Sequence, residues 1–154
     1  MGFIAHLVDS TLKVKKLNDL ATIPTRGSSD AAGFDLYAAT NYDIWIEPHA
    51  TVKVDIGIAI ELPLGTFGAI FARSGLATKQ GLRPANAVGV IDSDYRGPVI
   101  VALHNDTDER QMVPAGSRIA QLVVIPYMIS PIEVVEELNE TERGSGGFGS
   151  TGIK

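Results

Sequence analysis

The chain has 154 residues, with 45% hydrophobic and 20% charged residues, the size and balance of one ordered domain with its own core. It contains no cysteine, which excludes disulfides, thiolate metal sites and cysteine nucleophiles. The formal net charge of -5 weighs against wrapping a long nucleic acid, but local arginines and backbone amides can still hold a nucleotide's phosphates.

MGFIAHLVDS lacks a basic region followed by an apolar run, so no signal peptide is expected. Lys, Asp, Glu, Pro and Gly interrupt every apolar run well short of the roughly 18 residues of a membrane span, and a soluble protein is predicted. LKVKKL at 12–17 alternates in two-residue steps and predicts a first strand. AAGFDLYA at 31–38 carries Asp35 between Phe34 and Leu36. An acid in an apolar strand needs a partner, a metal or water, unless it faces solvent from an edge. YDIWIEPHA predicts a short strand before Pro48.

TVKVDIGIAIEL at 51–62 places Val52, Val54, Ile56, Ile58 and Ile60 on one side and predicts a half-buried strand. FGAIFA, GPVIVALHN and SRIAQLVVIPY, rich in Val and Ile and bounded by turn residues, predict more. GLATKQGL offers only a short turn of helix before Gly81, and PIEVVEELNE reads equally as strand or helix. Many short strands separated by turn signals predict one all-β domain, a sandwich, jelly roll or barrel.

Three segments carry chemistry. In ARSGLA at 72–77, Arg73, Ser74 and Gly75 stand at a predicted strand-to-helix transition, where amides can cradle phosphate; a serine N-cap with a surface arginine explains the same residues. VGVIDSDYRGPV at 88–99 predicts a β-hairpin with a polar tip. Asp92 and Asp94 there serve as turn formers, or one of the two acids as a general base beside the Tyr95 ring and backbone groups that can pair with a base edge. RGSGGFGSTG at 143–152 reads as a disordered tail, or as an arm that orders only on a ligand or another subunit, since a spacer needs neither Arg143 nor Phe148. His6, His49 and His104 share no metal-ligand spacing. No GxSxG elbow is present and Ser74 has no evident histidine base, which disfavours covalent serine catalysis.

Taken in order, AGFDLYA, ARSGLA, NAVGVIDSDYRG, GSRIAQLVV and RGSGGFGSTG resemble the five motifs of the homotrimeric dUTPase family, and they span nearly the whole chain. The resemblance implies a distorted jelly-roll (β-clip) domain over 1–142, a mobile glycine-rich arm over 143–154, and a cytoplasmic enzyme. It implies hydrolysis of dUTP to dUMP and diphosphate with Mg2+. It also implies a site shared between subunits: the first, second and fourth motifs from one, the third from its neighbour, and the arm from the remaining one.

Carried over by resemblance, Asp92 activates the attacking water, and Tyr95 lies beneath the deoxyribose, leaving no room for a 2′-hydroxyl. Asn86, Gly89, Val90 and Ile91 read uracil. Arg73, Ser74, Gly75 and Gln121 contact phosphate, and Asp35 approaches the metal through water. Arg143, Ser145, Gly146 and Gly147 engage the outer phosphates, Phe148 covers the uracil ring, and Ser150 and Thr151 add phosphate donors. One departure stands out: Pro98 follows Gly97 where many relatives carry an acidic or polar residue, and its missing N–H favours a strand edge or bulge. A dCTP deaminase is the nearest rival, but the extra acid it needs at the cytosine ring is not found in a matching motif. A non-enzymatic nucleotide-sensing or protein-binding module is the second.

Overall fold

A computed structural model describes residues 9–147. Eleven strands and one short helix run in the order β1 (Lys13–Lys16), β2 (Phe34–Tyr37), β3 (Ile44–Ile46), β4 (Thr51–Asp55), β5 (Ile58–Glu61), β6 (Thr66–Phe71), α1 (Ser74–Gln80), β7 (Leu82–Pro84), β8 (Gly89–Ile91), β9 (Ile100–Asn105), β10 (Gln111–Val113) and β11 (Arg118–Pro126). They pair antiparallel into four small sheets, ordered β1-β5, β10-β3, β2-β11-β6-β8 and β4-β9-β7. This is the distorted jelly roll expected. Leu36, Ile46, Ile56, Ile58, Leu82, Leu103, Ile119 and Leu122 are fully enclosed between the sheets, so each sheet contributes to one core. Among the described residues, no helix is long and apolar enough to cross a membrane.

Three expectations are corrected. The stretch 51–62 is not one strand: β4 pairs with β9, whereas β5 pairs with β1. The chain breaks at Gly57, which has φ 71° and whose N–H donates to the Asp55 carboxylate at 2.7 Å. A Cβ there would stand 2.7 Å from the Ala39 methyl, so the turn needs glycine both for its backbone and for its space. The residues flanking 88–99 form no hairpin. β8 pairs with β6 and β9 with β4 and β7, so the Asp92–Pro98 connection passes from one sheet to another. Pro98 lies outside every ladder and costs none of them a donor.

Ser74 is not the N-cap of α1 either; Arg73 holds that position and makes no side-chain capping bond. Gly81, at φ 64°, closes the helix in the left-handed region. Residues 127–147, including PIEVVEELNE, continue with neither strand nor helix.

Periodicity gave no hint of Asn105, the one polar residue among the described residues that is fully buried. Its amide nitrogen donates to the carbonyls of Ile46, Glu47 and Glu109, at 3.1, 3.2 and 2.7 Å, and its oxygen accepts from the Thr107 N–H and hydroxyl. Asn105→Leu leaves those groups without their side-chain partner. The variant is expected to lose about 3 kcal/mol of unfolding free energy, read from urea or thermal melts.

Candidate active site

Two cavities flank β6, and they differ in chemistry. The first, of about 470 Å³, is lined by Gly33, Asp35, Arg73, Ser74, Gly75, Arg118 and Gln121, among others. β2, β11 and β6 are hydrogen-bonded neighbours, which sets Asp35 opposite Gln121 and Gln121 opposite Phe71. Asp35 is largely covered, with 14% of its side chain exposed, and it accepts from Arg73 Nε at 2.9 Å and from Arg118 Nη1 at 3.1 Å. Two guanidinium charges against one carboxylate leave the cavity positive, suited to an anion. Gln121 is fixed by donating to the Ala72 carbonyl at 2.9 Å, and a Cβ on Gly33 would come within 2.5 Å of the Gln121 side-chain oxygen. Nothing stands within 4 Å of a Cβ built on Gly75, so the start of α1 is open to an approaching group.

Arg118 is the residue that motif spacing did not single out. The β11–β2 register shifts between Arg118 and Ala120, and Ile119 and Ala120 are both fully buried. This bulge puts two successive side chains inward, and so brings Arg118 and Gln121 to the same side. Two adjacent apolar residues after an arginine were the available signal.

The second cavity, of about 250 Å³, is lined by Ile70, Asn86, Gly89, Val90, Ile91, Asp92, Tyr95 and Pro98, with Val99 and Ile100. Ala87 has φ 60°, and the Val88 N–H reaches back to the Asn86 carbonyl at 2.6 Å, a tight turn that delivers the chain into β8. Gly89 lets β8 lie close on β6, since a Cβ there would be 3.1 Å from Cβ of Ile70. Beyond β8, the Tyr95 N–H donates to the Asp92 carbonyl at 3.1 Å, and Arg96 Nη1 donates to the carbonyls of Ser93 and Tyr95 at 2.7 and 3.0 Å. The acid is therefore carried on a closed turn, beside backbone groups able to read the edge of a flat ring.

Ile70 lines the second cavity and Phe71 the first. Successive residues of a strand face opposite ways.

A family model described as dUTPase matches residues 19–152. The chain belongs to the dUTPase family. The deoxyuridine 5'-triphosphate nucleotidohydrolase of Desulfitobacterium hafniense (strain DSM 10664 / DCB-2) is 51% identical over 132 residues, 85% of this chain and 87% of that protein. That of Yarrowia lipolytica is 48% identical over 145 residues, covering 93% and 90%. Among solved structures, the Staphylococcus bacteriophage 80alpha dUTPase with dUPNHPP superposes with a TM-score of 0.85 at 29% identity, covering 93% of this chain and 99% of the phage chain.

Against the dUTPase motifs, the structure divides the expected site residues into groups. Arg73, Ser74, Gly75, Gln121 and Asp35 come together in the first cavity. Asn86, Gly89, Val90, Ile91, Asp92 and Tyr95 come together in the second. Arg143, Ser145, Gly146 and Gly147 join neither: Arg143 Nε donates to the Gly146 carbonyl at 3.0 Å within its own exposed turn. Phe148, Ser150 and Thr151 lie outside the described residues.

Among the described residues, no three His, Asp or Glu side chains converge as a metal cage. Magnesium does not require one, since it commonly keeps its waters and binds through substrate phosphates with one carboxylate nearby. Asp35 beside a positive, open cavity fits that mode, each of its oxygens retaining a lone pair after its arginine bond.

Proposed function

We propose that the chain hydrolyses dUTP to dUMP and diphosphate at sites completed between the subunits of a homotrimer. The reading is supported by the gathering of the expected residues into two separate cavities beside β6, one positive and one holding Asp92. In this reading a nucleotide lies between the first cavity of one subunit and the second of its neighbour. Apolar side chains left uncovered support an assembly: Met128 is 88% exposed, and Ile132 and Val134 are each 95% exposed.

In this reading, backbone groups from Asn86 to Ile91 pair with the uracil edge and Tyr95 lies under the deoxyribose. Asp92 orients a water and takes its proton as the water oxygen bonds to the α phosphorus. The bond from that phosphorus to the bridging oxygen breaks, and the electron pair leaves with diphosphate. Arg73, Arg118, Gln121 and the amides of Ser74 and Gly75 hold the phosphates against the charge that develops. Magnesium on the triphosphate would neutralise phosphate charge, with Asp35 reaching its water shell. The arm, 143–154, closes last: Arg143 and the Ser145–Gly147 backbone on the outer phosphates, Ser150 and Thr151 as further donors, Phe148 over uracil. The substrate belongs to the intracellular nucleotide pool, which makes the cytoplasm the proposed compartment.

Purified protein offered dUTP, dCTP, dTTP and UTP with magnesium, and again with a chelator, tests this reading. Diphosphate is expected from dUTP alone, and only with the cation. Ammonia or dUTP from dCTP would replace this reading with a deaminase. Size-exclusion chromatography with light scattering should return three times the chain mass, and an active monomer would remove the shared site.

A further inference from the structure

The Tyr95 ring is not a free-swinging flap. Its hydroxyl donates to the Pro98 carbonyl at 3.1 Å, three residues along the same turn. Between them lies Gly97, where a Cβ would stand 2.4 Å from the tyrosine hydroxyl oxygen, 2.6 Å from Cζ and 3.0 Å from Cε2. The ring thus rests directly on the glycine α-carbon. The left-handed glycines of the described chain are Gly57, Gly65, Gly81, Gly116 and Gly144. Gly97 is not among them, so backbone freedom is not what this position requires. It requires the missing side chain.

We infer that Gly97 is a specificity-determining residue: by seating the Tyr95 ring, with the Pro98 carbonyl as its anchor, it sets the space left for the sugar and hence the preference for deoxyribose over ribose. This rests on the proposed position of Tyr95 beneath the sugar. An added methyl demands that the ring move by about 1 Å to restore ordinary contact distances. Side chains occupy discrete staggered wells, so a half-exposed tyrosine answers such a push by leaving its well rather than leaning. The floor of the sugar recess then opens, and a 2′-hydroxyl that was rejected for lack of space is admitted. Pro98 takes a definite role here: it needs no ladder donor, and its carbonyl is free to accept from the phenol.

The test is the ratio of kcat/KM for UTP to that for dUTP, which loss of stability alone does not move. Gly97→Ala is expected to raise this ratio about 10-fold. Tyr95→Ala should raise it further, and adding Gly97→Ala to Tyr95→Ala should then change nothing, because Gly97 acts through the ring. Tyr95→Phe, which removes the anchor without adding volume, should raise the ratio about threefold, and it carries the test if Gly97→Ala does not fold. A ratio unchanged or lowered in Gly97→Ala, or unchanged in Tyr95→Phe where the alanine variant does not fold, overturns the inference. So does an additive double variant. If Tyr95→Ala turns over dUTP with an unchanged ratio, the proposed position of Tyr95 itself fails, a result distinct from failure at Gly97 alone.

Discussion

Asp92→Asn is expected to lower kcat for dUTP by about 10^3-fold while leaving KM close to that of the parent enzyme, measured by diphosphate release at saturating magnesium. Asparagine matches aspartate in shape but cannot take a proton from water. The turn should survive, because Tyr95 is bonded to the backbone carbonyl at position 92, not to the carboxylate. An unchanged thermal melt would confirm that the loss is chemical, and full turnover would remove Asp92 from the mechanism. The same variant tests where the site lies. Arg73→Ala should also be nearly inactive, since it empties the first cavity of one guanidinium. Co-assembled in equal amounts, the two inactive proteins should recover activity at about a quarter of the sites by random assortment. If each site belonged to one chain, no mixture could work.

Ending the chain after Glu142 is the second large effect expected. No strand or helix lies beyond Pro126 among the described residues, and the core residues all precede it, so the shortened chain should fold with an unchanged melt. Turnover should fall by about 10^2-fold or more, the scale of losing one charge-assisted phosphate contact together with closure over the nucleotide. A narrower variant, Arg143→Ala, separates the two contributions, because it removes the charge and keeps the arm. Normal kinetics in the truncated enzyme would take the arm out of the mechanism.

The strands were legible wherever a Val- or Ile-rich run was closed by turn residues, as in β6, β9 and β11. The error at 51–62 has a local cause: hydrophobic alternation passes unbroken through Gly57, and only the crowding by Ala21 and Ala39, far away in sequence, shows that the chain must bend there. The missing hairpin at 88–99 is similar. A polar tip between two strands says that the chain turns, not that the strands on either side become partners. At the site, residue types gave Asp35, Arg73, Asp92 and Tyr95, but Arg118 depended on a bulge and Gly97 on a ring folded back over it. Asn105 was invisible for a related reason: three of the backbone groups it satisfies belong to Ile46, Glu47 and Glu109, which no linear pattern associates with it.

The division of the expected residues between two cavities bears on the life of the protein. On the proposed shared site, a newly made chain would carry every group the reaction needs and still be unable to perform it, because its two cavities would serve different nucleotides. Activity would then begin only when copies meet, rising more steeply than chain concentration when copies are scarce and falling on dilution faster than the protein itself.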